Sequence, residues 1–146
     1  MNYKLRLQPN RQQQRCTSST TGEWRVRGLR GAITVSQNSA EAIAAAVDEL
    51  LDILETQNHI DPAEIVSVTF SVTQDLDAVF PAAVARSRPG WEPVPLLDVQ
   101  HMQVTNSLER CIRVLIHLNT PMPQKALHPA YLRRAAKLRP DLAFSG

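Results

Sequence analysis

The chain has 146 residues, 43% hydrophobic but only 5% aromatic, enough for one domain with an aliphatic core. No apolar run approaches the ~20 residues of a membrane span, and the two cysteines and four histidines show no CxxC and no metal-ligand spacing. The net charge of +2 is uneven: residues 1–22 hold Lys4, Arg6, Arg11 and Arg15 and no acid, which leaves 12 basic and 14 acidic groups in residues 23–146 and no basic surface for nucleic acid there.

Residues 1–22, rich in Gln, Arg, Ser and Thr without a hydrophobic period, read as a disordered basic leader ahead of a folded domain at 23–146. They lack the apolar centre of a secretory signal and resemble a transit peptide only loosely; a dispensable tail fits them better. Residues 24–35 read as the first strand, carrying Arg25, Arg27 and Arg30, with Gly28 and Gly31 marking a bulge or a close approach by backbone or ligand. Asn38 is the expected N-cap of a helix running to about Gln57, in a capping box with Glu41, and Asn58 is its expected C-cap. Ile43, Val47, Leu50, Leu51 and Leu54 fall in one stripe, so this helix covers a sheet. After a turn at 61–64, residues 65–73 alternate as a strand: Val66, Val68, Phe70 and Val72 face one way, and Ser67, Thr69, Ser71 and Thr73 the other.

A short helix at 82–86, entered through Pro81, precedes a strand at 93–99, an extended piece at 102–104 and a turn at Asn106-Ser107. Residues 111–118, CIRVLIHL, form the strand around which the rest is organised. Ile112, Val114, Ile116 and Leu118 share an apolar face; Cys111, Arg113, Leu115 and His117 share the other. Pro121 and Pro123 break the chain, His128-Pro129 opens a last short helix through Tyr131, Leu132 and Ala135, and residues 138–142 leave it as a turn.

This order predicts an α+β fold, a mostly antiparallel mixed sheet covered by one long helix and short helices. A sheet left with one partly polar face is often closed by oligomerisation. Arg113 projects from the middle of a hydrophobic strand and needs an anion, either a protein carboxylate or a ligand. There is no glycine-rich phosphate loop, no GxSxG and no HExxH. Cys111 and His117 on one face allow a nucleophile–base dyad, although a packed cysteine beside a surface histidine explains them more simply. Cys16 and Cys111 sit in unlike contexts, which argues against a disulfide framework and for a reducing cytoplasm. The strand arginines, with Tyr131 and Arg139 later, suit a small polyanion such as a dicarboxylate.

Val26-Arg27-Gly28-Leu29-Arg30-Gly31-Ala32 resembles the RGxRGA opening of the trimeric α/β class of monofunctional bacterial chorismate mutases. The likeness continues through Asp75-Leu76-Asp77-Ala78-Val79-Phe80-Pro81-Ala82, Gly90-Trp91, Cys111-Ile112-Arg113-Val114, Tyr131-Leu132 and Leu138-Arg139-Pro140-Asp141-Leu142. Order and spacing match, so it covers roughly residues 25–142. The resemblance implies a homotrimer built as a pseudo-α/β-barrel. It also implies the rearrangement of chorismate to prephenate in phenylalanine and tyrosine biosynthesis, without cofactor, metal or covalent intermediate. Such a reaction asks for cations to bind a dicarboxylate and walls to hold the enolpyruvyl arm over the ring. It also asks for a fixed positive charge at the ether oxygen, where negative charge grows as the C–O bond breaks. By the resemblance, Arg113 is that cation, Arg30 and Tyr131 bind carboxylate, Phe80 and Leu138 are apolar walls, and Arg86 and Arg139 lie at the mouth. Pockets between subunits are implied too: Arg30, His101, Arg113 and Tyr131 come from one subunit, and Phe80, Arg86 and Asp98 from its neighbour.

Three positions depart from that pattern. Ala83 stands where the family usually has lysine, and Asp98 where it often has cysteine. In Gln100-His101-Met102, His101 replaces a glutamate that accepts a hydrogen bond from the substrate's ring hydroxyl. A neutral imidazole can accept through one nitrogen, and a protonated one cannot. Either Asp98 takes over part of that role with His101 as its partner, or the site is weakened. His101 therefore keeps open a second function, a trimer that binds or senses an aromatic-pathway carboxylate without turnover. A trimeric imine or enamine deaminase is a third; the RGxRGA opening and the Leu-Arg-Pro-Asp ending argue against it.

Overall fold

The structure is a computed structural model that describes residues 22–142; the expectation of a disordered leader at 1–22 lies, apart from Gly22, outside that range. In chain order come β1 (Arg25–Thr34), α1 (Ala40–Asn58), β2 (Ile65–Val72), α2 (Pro81–Arg86), β3 (Leu96–Gln100), β4 (Cys111–Thr120) and β5 (Ala130–Leu132). The strands form one mixed sheet in the order β3-β2-β4-β1-β5. At its centre β4 is antiparallel to β2 and β1, while the edge strands β3 and β5 run parallel to β2 and β1 respectively.

The expected alternation of β4 is realised: Ile112, Val114, Ile116 and Leu118 are buried. They share one core with the stripe of α1, Ile43, Ala46, Val47, Leu50, Leu51 and Leu54. Each large aliphatic side chain buried there contributes roughly 1.5–3 kcal/mol. At Gly31 the sheet, β5 and α1 approach closely: a Cβ would lie 3.0 Å from the Ala130 carbonyl oxygen and 3.1 Å and 3.2 Å from the Leu50 and Leu54 methyls. Gly28 is no bulge, since the β1–β4 register runs unbroken past it. Its N–H and C=O both bond the Gln124 side-chain amide.

Several local expectations are corrected. Ser39, not Asn38, caps α1 by accepting from the Ala42 N–H, so Glu41 is not placed for a capping box. Asn38 accepts from the backbone N–H groups of Asp77 and Ala78 and donates to the Asp77 carboxylate, pinning that segment to the helix entrance. The helix keeps Asn58 and ends at His59, which is left-handed (φ 49°). Asn58 instead bonds the Leu54 carbonyl and both backbone groups of His128. Val66 is exposed because a bulge between Ile65 and Ser67 turns it out. The strand expected at 93–99 begins only at Leu96, after Pro93 and Pro95, which have no N–H to offer.

The last short helix is absent at Tyr131. Ala130–Leu132 pairs with the free edge of β1, and Arg133 in left-handed conformation (φ 54°) turns the chain into the 3₁₀ run Arg133–Leu138. On the other side of the sheet the turn after α2 is tied to α1. Arg88 bonds Asp48, Asp52 and Glu55 at 3.0, 2.7 and 3.2 Å, and the buried Trp91 donates its indole N–H to Glu55.

Candidate active site

Residues opposite one another on paired strands put their side chains on the same face. The registers therefore align Val99, Ser71, Arg113, Ala32 and Tyr131 in one row across all five strands, and Leu97, Thr69, Leu115 and Arg30 in the row two residues along. Both rows lie on the face turned away from α1. There, a cleft of about 460 Å³ is lined by Arg30, Thr69, Ser71, Arg113, Leu115, Tyr131, Leu138 and Arg139. One end rests on a small second core of Ala32, Cys111, Tyr131 and Ala135, with Leu138 and Leu142 packed on it.

Arg30 and Arg113 are exposed to this cleft, and among the described residues neither pairs with a carboxylate. Arg139 is held by Asp141 at 2.8 Å, and that pairing raises the arginine's pKa and lowers the aspartate's.

His101 sits beside this group rather than in it. Its Nδ1 lies 2.6 Å from Ser71 Oγ, its backbone N–H donates to the Val72 carbonyl at 2.8 Å, and its Nε2 is buried without a partner. His101 lines a neighbouring cleft with Thr73, Asp75 and residues 102–109. Burial, and after it the Arg113 charge, lowers the imidazole's pKa below its usual value, so His101 is neutral at pH 7.

Phe80 and Asp98 line a separate cleft of about 630 Å³. Asp98 is opposite the buried Phe70 on β2, so it points to the helix side of the sheet while Arg113 points away from it. Its Oδ1 accepts the Ala82 N–H at 3.0 Å and so caps α2, whose N-cap residue Phe80 has no side chain that could. Burial raises the Asp98 pKa against the lowering effects of the Ala82 N–H and the Arg86 charge. Phe80 is 70% exposed, a large apolar ring left mostly uncovered by the described residues.

One chain thus brings together Arg30, Arg113, Tyr131, Leu138 and Arg139, sets His101 next to them, and leaves Phe80, Arg86 and Asp98 elsewhere. Thr69 and Ser71 line the arginine cleft as well. Nothing in the alternating 65–73 pattern sets them apart from a solvated strand face, and only the register reveals them. The Cys111–His117 dyad is not formed. The two lie six residues apart on one strand, ~20 Å; His117 is near Ser67 at 3.4 Å, and burial raises the thiol's pKa.

The family model for chorismate mutase type I matches residues 26–142. Chorismate mutase AroH of Bacillus subtilis (strain 168) is 40% identical over 120 residues, covering 82% of this chain and 94% of the relative. Its namesake from Thermus thermophilus is 48% identical over 118 residues, covering 80% and 96%. Among solved structures, a chorismate mutase from Clostridium thermocellum superposes with a TM-score of 0.73 at 41% identity, covering 75% of this chain and 97% of that one. With this sheet order, this cleft and these matches, the chain belongs to the type I chorismate mutase family.

Proposed function

We propose that this protein rearranges chorismate to prephenate, for phenylalanine and tyrosine biosynthesis, in pockets shared between the subunits of a cytoplasmic homotrimer whose domains begin near residue 23. The observation that carries this reading is the convergence of Arg30, Arg113, Tyr131 and Arg139 on one cleft whose lining, among the described residues, holds no carboxylate. Such a lining binds a dicarboxylate and repels nothing in it. Arg113 stands on a strand buried on its other face, a rigid mount for a charge aimed at the breaking ether bond. The developing oxyanion gains more from that fixed cation than the ground-state ether does, which lowers the barrier without covalent chemistry. Arg30 and Tyr131 hold carboxylate, Leu138 walls the ring and Arg139 guards the mouth.

Two facts support the trimer. Asp98 cannot meet Arg113 within one chain, because the two leave the sheet on opposite faces, and Phe80 lines the Asp98 cleft rather than the arginine cleft. The open face also exposes Leu97, Val99 and Leu115, an apolar strip suited to burial between copies in a closed pseudo-α/β-barrel. His101 in place of an acidic acceptor favours a second reading, a trimer that binds the same dicarboxylate without turning it over. Incubating the protein with chorismate separates the two. Loss of chorismate absorbance with prephenate appearing supports the mutase; saturable binding with no conversion supports the sensor; absence of both binding and conversion overturns both readings.

A further inference from the structure

Ser71 lines the arginine cleft and lies directly across from Arg113 in the β2–β4 register. His101 does not line that cleft, yet its Nδ1 is 2.6 Å from Ser71 Oγ. One hydrogen lies between them. If it belongs to the serine, both Oγ lone pairs stay free for the cleft; if it belongs to the imidazole, one lone pair is used and the hydroxyl's own hydrogen is free to turn to the cleft, on the side of Arg113. A cation's field favours the first arrangement, in which lone pairs face the positive charge.

The charged and polar groups around the imidazole are Arg113 from β4, Asp75 from the segment after β2, and Ser71 with the Val72 carbonyl from β2. Burial and Arg113 oppose its protonation and outweigh Asp75 and the Val72 bond, so the ring is neutral and one nitrogen keeps a lone pair; the Arg113 field at Ser71 favours that nitrogen being Nδ1. The ring proton is then on Nε2, which is buried without a partner and within the field of Asp75.

The geometry points to Ser71 Oγ as the acceptor for the substrate's ring hydroxyl, with His101 as the positioning residue that holds the serine proton out of the cleft. The glutamate of the family pattern is thereby replaced by a pair, one member touching substrate and the other orienting it. This rests on the arginine cleft being the substrate site.

The test compares kcat/KM for chorismate and for an analogue lacking the ring hydroxyl. Ser71→Ala is expected to lose about tenfold on chorismate and nothing on the analogue, the scale of one neutral hydrogen bond left unmade. Ser71→Thr, which keeps the hydroxyl, is expected to restore most of it. His101→Ala should lose a similar factor, and the double variant no more than either single one, as for two residues acting as a unit. Acidification through and below the ordinary imidazole range should lower kcat/KM of the native protein, because an Nδ1–H reverses the bond; both single variants should lack that limb. Nitrogen-15 shifts of His101 should report the Nε2–H tautomer. Equal losses on both substrates in Ser71→Ala, or fully additive losses in the double variant, overturn the assignment while Arg113→Ala is inactive. An active Arg113→Ala overturns the cleft reading itself, and the assignment with it.

Discussion

Arg113 and Asp98 carry charge under opposite constraints. Arg113 is unpaired by any carboxylate among the described residues and faces the cleft, so removing it should cost chemistry rather than folding. Arg113→Ala is expected to lower kcat by about 10²–10³ or more with unchanged thermal unfolding. Arg113→Lys should recover only part, since a point charge does not reproduce a planar fork. Asp98 has its carboxyl pKa raised, mainly by burial. A carboxyl with a folded-state pKa above its unfolded one makes ionisation a cost, full above the folded value and gone as pH falls below the unfolded one. Asp98→Asn keeps an acceptor for the Ala82 N–H and removes that cost. Its Tm at pH 7 should equal or exceed the native value and lose the native protein's gain on mild acidification from this site. Asp98→Ala should lose about 1 kcal/mol, the worth of a helix cap, measured by urea unfolding.

At the scale of elements, one junction holds the sheet to α1 and a second holds the turn after α2 to α1. Gly31→Ala pushes a methyl against the Ala130 carbonyl and two leucines of α1, and should destabilise by about 1–3 kcal/mol. Arg88→Ala strands three carboxylates and frees the turn after α2; since its partners are partly exposed, about 2 kcal/mol is the expected loss. Both are read by chemical denaturation. The helix stripe, the alternation of β4 and the strand order of charges were legible in the sequence, because burial imposes a period on each. β5 was not: the Tyr131 segment has no period of its own and is extended only because β1 has a free edge there. The shift of the α1 cap from Asn38 to Ser39 was equally invisible, since both residues cap well and a contact to Asp77 and Ala78, far along the chain, decides between them. Arg30, Arg113 and Tyr131 could be read from sequence blocks, whereas Ser71 gains its place from strand register and from a histidine 30 positions away.

Across the whole molecule, the proposed pockets need two chains. Arg113→Ala lacks the cation of one side, and Phe80→Ala with Arg86→Ala lacks the wall and mouth of the other. Each protein alone should be nearly inactive. Refolded together, they form mixed trimers in which some pockets draw both intact sides, and a measurable fraction of native activity should return. Sedimentation of the native protein should give three times the chain mass. Val99→Lys, which places a charge on the exposed apolar strip, should lower mass and activity together.

The row from Val99 to Tyr131 draws one residue from every strand, and its central strand is fourth in chain order. While the chain is being synthesised, only β2 and β3 can pair before β4 emerges, β1 and β2 have no strand between them until then, and nearly the whole domain must exist before the full sheet can close. Pairings so distant in sequence make for slow folding. In the interval the edges of β1 and β2 are open to other nascent chains. The geometry that gathers the arginines so tightly thus makes the newborn protein dependent on finishing before it meets a neighbour.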